Sequence, residues 1–245
     1  MHKTASLSPV VTSNIPDASR FGNPLPSVET SAVTPVGLTR QTNLKYSFIY
    51  RWRSVICSII VFSTWGVGIF STPYIQMGSW AERILTACGW ACFATGVFLR
   101  FWATLYIGGR KSTAVICEGP YSITRNPLYW GTLMVILAQG FFYHNLVFAL
   151  GLIPPILIYY FGVIPAEERH LRAKLGEEYL AYCDLVPRIG PKFSRYRSAK
   201  EIVVSMKGLR AEAVRILGWI WLPILAQVIN ALRYSPSWPH PFNLP

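Results

Sequence analysis

The chain has 245 residues, 52% hydrophobic and only 14% charged, against about 25% charged in an ordinary soluble domain. With its positive mean hydropathy it falls in the membrane class rather than the soluble one. Its formal net charge of +12 would suit a nucleic-acid binder, but the basic residues lie mainly in loops and flanks, as in cytoplasmic anchoring of a membrane protein. No nucleic-acid-reading motif is present, so no such partner is expected.

In chain order, residues 1 to about 45 are rich in Ser, Thr and Pro without apolar periodicity. They read as a disordered tail lacking the apolar core of a signal peptide. Residues 46–245 read as one membrane domain. A first span is expected over about 54–75, closed by Pro73, and a second over about 84–107, each long enough to cross a ~30 Å hydrocarbon layer. The second contains Arg100 and Trp102. An arginine there either snorkels to head groups or pairs with an anion in an aqueous pocket.

From Asn126 to Ala166 there is no charged residue. That length suits two helices with a turn at His144-Asn145, and Pro154-Pro155 should kink the return helix. Residues 165–215 hold eleven of the 23 Lys and Arg. Leu171, Leu175, Tyr179 and Tyr182 recur there at helical spacing, predicting an amphipathic surface element broken at Gly176. A last span is expected over about 216–232. The fold class is therefore all-α: a polytopic membrane bundle of about five transmembrane helices. The positive-inside rule puts the N-terminus and the loops around 108–127 and 165–215 in the cytoplasm.

Two blocks flank the uncharged hairpin. The first runs Gly119-Pro120-Tyr121-Ser122-Ile123-Thr124-Arg125-Asn126-Pro127-Leu128-Tyr129-Trp130-Gly131. The second holds Glu167-Glu168, Gly176-Glu177-Glu178-Tyr179 and Val186-Pro187-Arg188-Ile189-Gly190-Pro191. Topology brings Arg125 and the two carboxylates to the same membrane face. One guanidinium and two carboxylates suit a zwitterionic amino-acid group, the arginine holding its carboxylate and a glutamate its ammonium. Pro127 fits the first position of a helix that Asn126 could cap. Gly119 and Gly131 are candidates for close approach or for ordinary turn and helix packing. The five cysteines, Cys57, Cys88, Cys92, Cys117 and Cys183, make no zinc set, and no metal is expected.

These blocks, in this order, resemble the isoprenylcysteine carboxyl methyltransferase family and its phospholipid methyltransferase relatives, over roughly residues 95–191. The resemblance implies S-adenosyl-L-methionine as cofactor, whose amino-acid end matches the charges above and whose sulfonium favours carboxylates and aromatic faces. Carried over by position, it nominates Gly119, Tyr121, Arg125, Pro127, Tyr129, Glu167 and Glu168 for the cofactor, with Arg125 and Glu168 catalytic, and Arg100 and Trp102 for substrate. Tyr179, Tyr182, Pro187 and Pro191 also match family positions. Many relatives have His where this chain has Asn126, and basic residues where it has Asp184-Leu185.

Methyl transfer is an in-line displacement that needs positioning above all. A carboxylate acceptor needs no base; an amine or thiol would draw on Glu168 or His170. The implied acceptor is lipophilic: a prenylated cysteine carboxylate, a phospholipid amine, or another small hydrophobic molecule. The competing readings are a membrane reductase of the sterol reductase type, using a nicotinamide cofactor, and a non-enzymatic membrane protein. Oligomeric state is not legible.

Overall fold

A computed structural model describes residues 48–108 and 114–242, all within the unit Asn43–Pro245. The tail expected over 1–45 lies outside the described residues. Among them the structure is helical, with one isolated bridge between Ser71 and Phe242.

Helix α1 (Phe48–Ile69) stops six residues short of the expected end. The chain turns where the buried Ser71 hydroxyl donates to the Gly68 carbonyl at 2.9 Å. Helix α2 (Trp80–Ile107) starts four residues early. Ser79 accepts from the Glu82 N–H at 3.3 Å, and Glu82 reaches back to the Gly78 N–H at 2.7 Å, so the first turn meets its own capping needs. A short α3 (Pro120–Ile123) leads into α4 (Pro127–Phe142).

The expected turn falls at His144-Asn145, where the Asn145 side chain accepts from Phe148 N–H at 2.8 Å and opens α5 (Leu146–Gly151). Helix α6 (Ile153–Ile158) carries Pro154-Pro155 in its first turn. A wide π-turn (Tyr159–Val163) precedes α7 (Ile164–Leu185). Pro165 has no N–H for the Phe161 carbonyl, and the π-turn absorbs that gap. From Leu146 to Leu185 the helix runs on for 40 residues. The element expected as a separate surface helix is thus the continuation of the return helix, kinked at Gly176, whose φ is +58°.

The last run also differs from expectation. Helix α8 (Met206–Trp219) and α9 (Trp221–Arg233) begin ten residues before the expected span. The Ser205 side chain accepts from the Gly208 N–H and starts the helix within the basic segment.

The runs Trp80–Ile107, Leu146–Leu185 and Met206–Arg233 are long and apolar enough to cross a membrane; Val55–Ile69 and Pro127–Phe142 are shorter apolar helices. Large apolar side chains point outward, Phe62 at 67% and Phe161 at 69% exposure, as lipid contact demands and water does not tolerate in such number. The core joins α2, α4, α5 and α9 through Phe93, Val135, Ala138, Phe142, Phe148, Ala226 and Ile229. At the centre of the α2–α4 contact a Cβ on Gly131 would sit 2.5 Å from Arg100 Cγ and 2.7 Å from the Gly96 carbonyl. Small residues bring these two backbones together.

Candidate active site

The segment after α7 folds back over the entrance to α4. Arg125 N–H donates to the Pro187 carbonyl at 2.9 Å, Lys192 N–H to the Ile123 carbonyl at 3.1 Å, and Gly119 N–H to the Arg197 carbonyl at 2.7 Å. The Trp130 indole N–H donates to the Ile189 carbonyl at 2.6 Å, and the Tyr182 hydroxyl to the Tyr121 carbonyl at 2.7 Å. The two sequence blocks are therefore one structural unit. Gly119 starts α3 at φ +58°, ψ −134°, with the Tyr106 ring where a Cβ would be, 2.4 Å away. Both constraints require glycine.

Between the blocks lies an open-mouthed cavity of ≈770 Å³, a figure that includes the solvent in its mouth. Its polar lining includes Tyr121, Arg125, Asn126, Tyr129 and Glu167; Leu128, Leu171, Leu175, Val115 and Ile116 supply apolar wall. Tyr179 and Tyr182 also line it. The Tyr129 hydroxyl donates to Glu167. Of the five buried side-chain polar atoms without a hydrogen-bond partner among the described residues, three belong to this wall: the Tyr121 hydroxyl and the Nε and Nη1 of Arg125; the others are Gln139 Oε1 and Arg233 Nε. Unsatisfied buried polar groups are rare and costly, and these three belong to two residues that line the same cavity. Burial, and then the Glu167 carboxylate, push the Tyr121 phenol above its ordinary range, so it stays an O–H donor.

Glu168 stands apart from this wall. It is 2% exposed and accepts from Arg188 Nε at 2.9 Å and from Asn126 Nδ2 at 3.1 Å. Arg188 Nη2 lies 2.8 Å from the same carboxylate, and Arg125 Nη1 lies 3.6 Å away. The hydrogen bond to Glu168 raises the Arg188 pKa further. Glu168, expected at the cofactor and in catalysis, is engaged by protein donors and is not among the residues lining the cavity. His170 is exposed and does not line it either. Asn126 makes no side-chain cap to α4; its amide is turned instead to Glu168 and to the Arg188 carbonyl.

Arg100 and Trp102 are not brought to the cavity wall. Arg100 does pair with an anion, but that anion is Glu212 of α8, Nε to Oε1 at 2.5 Å. Its Nη1 also donates to Thr132 at 2.6 Å, and its guanidinium lies 4.9 Å from the Trp219 ring centre. Trp102 packs between Phe98 and Tyr196. The residues brought together are therefore Tyr121, Arg125, Pro127, Tyr129 and Glu167; Gly119 is not among those that line the cavity. Arg188 went unnoticed between the two prolines of its block, although a buried carboxylate such as Glu168 calls for a cation to compensate it.

Residues 84–178 match the family described as phospholipid methyltransferase. The resemblance carried by the two blocks is thereby shown, and the family is one of integral membrane methyltransferases related to the isoprenylcysteine carboxyl methyltransferases. Among curated proteins, the chain is similar to the cobalt-zinc-cadmium resistance protein CzcN of Cupriavidus metallidurans. They are 29% identical over 192 residues, which is 75% of this chain and 84% of that one. It is also similar to the nickel-cobalt-cadmium resistance protein NccN of Alcaligenes xylosoxydans xylosoxydans, at 25% identity over 185 residues, 75% and 83% of the two chains. No solved structure matches. The phospholipid methyltransferase match spans α2, both halves of the hairpin and α7 as far as Glu178, and so includes every polar side chain of the cavity wall named above except Tyr179 and Tyr182.

Proposed function

We propose that this chain transfers a methyl group from S-adenosyl-L-methionine to a lipophilic acceptor at the cavity between its two sequence blocks. The observation that carries this reading is that Arg125 and Tyr121, whose Nε, Nη1 and hydroxyl have no hydrogen-bond partner among the described residues, line one cavity together with Glu167. Those donors suit a carboxylate, and Glu167 suits an ammonium. When bound, S-adenosylmethionine supplies an electrophilic methyl on a sulfonium. Arg125 and Tyr121 hold its carboxylate end. Tyr129 orients Glu167, and the apolar wall of Leu128, Leu171 and Leu175 excludes water from the displacement path.

With Glu168 held by Arg188 and Asn126, the site is better equipped to position than to remove a proton. That favours an acceptor already lacking the proton, such as the carboxylate of a prenylated cysteine, over a protonated amine. The cavity faces the cytoplasm in this reading, on the positive-inside argument. The relatives' names bring resistance to cobalt, zinc, nickel and cadmium as a physiological setting.

The test is calorimetric binding of S-adenosylmethionine and S-adenosylhomocysteine to the full chain in detergent, with Arg125→Ala and Glu167→Ala alongside and thermal unfolding as the folding control. Binding by the wild type that both variants lose supports the reading. No binding by a folded wild-type protein overturns it. Methyl transfer to a prenylcysteine, to phosphatidylethanolamine and to a hydrophobic thiol then separates the acceptors.

A further inference from the structure

We propose that Arg188 is a positioning residue: by occupying the Glu168 carboxylate it keeps the Arg125 guanidinium available to an anion in the cavity. This rests on the reading of Arg125 as the group that holds the ligand's carboxylate.

Glu168 sits between two guanidinium groups and serves them unequally. Its Oε2 takes Arg188 Nε at 2.9 Å and lies 2.8 Å from Arg188 Nη2, a two-pronged grip. Its Oε1 takes the Asn126 amide at 3.1 Å. Arg125 Nη1 stands 3.6 Å from that same Oε1, close enough for Coulomb attraction and too far for a hydrogen bond. Arg125 is thus held near a buried anion while Nε and Nη1 stay unpartnered.

Nothing intrinsic to Arg125 keeps it from closing that gap. A buried guanidinium gains from a charge-assisted hydrogen bond, and its side chain is flexible. What opposes closure is competition for the acceptor. Arg188 and Asn126 already fill three of the carboxylate's roughly four lone-pair sites, two on Oε2 and one on Oε1, and their charge and hydrogen bonds compensate the anion without Arg125. The backbone enforces the arrangement: Arg125 N–H is fixed to the Pro187 carbonyl at 2.9 Å, and Asn126 Nδ2 to the Arg188 carbonyl at 3.1 Å. Remove the Arg188 side chain, and Glu168 becomes an undercompensated buried anion whose nearest cation is Arg125. The guanidinium then turns from the cavity to the carboxylate.

This differs from a mere structural staple in the sign of a second substitution. A staple predicts that also replacing Glu168 leaves the damage in place or adds to it. Positioning predicts recovery, because neutral Gln no longer draws Arg125 out of the cavity. The experiment measures S-adenosylhomocysteine affinity by calorimetry for the full-length wild type, Arg188→Ala, Glu168→Gln and the double variant Arg188→Ala/Glu168→Gln, with thermal unfolding of each.

Arg188→Ala should weaken binding about tenfold or more, the weight of one charge-assisted hydrogen bond. The double variant should recover most of that loss, and Glu168→Gln should bind at least as tightly as the wild type. A double variant no better than Arg188→Ala overturns the proposal, as does a weakened Glu168→Gln. If Arg188→Ala does not fold, Glu168→Gln decides alone. A wild type that binds no S-adenosylhomocysteine refutes the cofactor assignment itself, whereas normal binding by Arg188→Ala refutes only this inference.

Discussion

Arg100 and Glu212 are 112 positions apart in the chain and form a two-pronged ion pair, Nε to Oε1 at 2.5 Å and Nη2 to Oε2 at 3.0 Å. Both side chains are almost wholly buried, at 6% and 4% exposure, and Arg215 reaches the same carboxylate from the next turn of α8. The pair ties α8 to α2, and through Thr132 to α4. Breaking a buried pair by removing one partner costs about 3–5 kcal/mol, while replacing both by apolar residues is often close to neutral. Glu212→Ala should therefore lower the unfolding temperature in detergent sharply, and Arg100→Met/Glu212→Leu should restore most of it. A double variant as unstable as the single would show that Arg100 and Glu212 do not act as a pair.

Tyr121 offers a test in which stability and binding move in opposite directions. Its hydroxyl is buried without a partner among the described residues, so Tyr121→Phe removes an uncompensated polar group. The unliganded protein should be as stable as the wild type or more so, by up to about 1 kcal/mol. Affinity for S-adenosylhomocysteine should fall about threefold to tenfold as a ligand hydrogen bond is lost. Thermal unfolding with and without ligand reads both effects in one series, and equal affinity would remove Tyr121 from the site.

The close crossing of α2 and α4 leaves no room for a methyl group at Gly131. A Cβ there meets Arg100 Cγ at 2.5 Å and the Gly96 backbone carbonyl at 2.7 Å. Gly131→Ala should destabilise by about 1–3 kcal/mol, the usual cost of overpacking, despite alanine's better helix propensity. Gly218, with nothing within 4 Å of its would-be Cβ, is the control: Gly218→Ala should be neutral or stabilising by thermal unfolding.

Cys117 packs against Tyr179 and Tyr182 beside the cavity, and burial, then the neighbouring Glu118, push its thiol above the ordinary value. The reactive species is the thiolate. Alkylation of Cys117 in the folded protein should therefore be slower at neutral pH than in the unfolded chain. The ratio of the two rates should narrow as pH rises through the raised folded value. Peptide mass spectrometry after timed iodoacetamide labelling at several pH values checks this; a folded-state rate equal to the unfolded one at neutral pH would contradict it.

Much of this protein was legible without tertiary structure because membrane helices are specified locally. A run of about twenty apolar residues crosses a bilayer whatever its neighbours are. The uncharged stretch from Asn126 to Ala166, its turn at His144-Asn145 and the break at Gly176 all followed from the chain alone. So did the pairing of the two motif blocks and the shared face of Arg125 and Glu167, since a hairpin must return its ends to one side; Tyr121 and Tyr129, which line the same cavity, were nominated by the family resemblance alone.

Tertiary structure decided which charges face the cavity and which are used up inside the protein. Glu167 and Glu168 are adjacent in sequence and chemically identical, yet one lines the cavity and the other is held by Arg188 and Asn126. The anion for Arg100 came from α8, and Asn126, placed by sequence as a helix cap, serves Glu168 instead. The physical reason is common to all three. A polar or charged group inside the protein takes its role from the partners that satisfy it, and in this chain those partners arrive from 20 to 112 residues away.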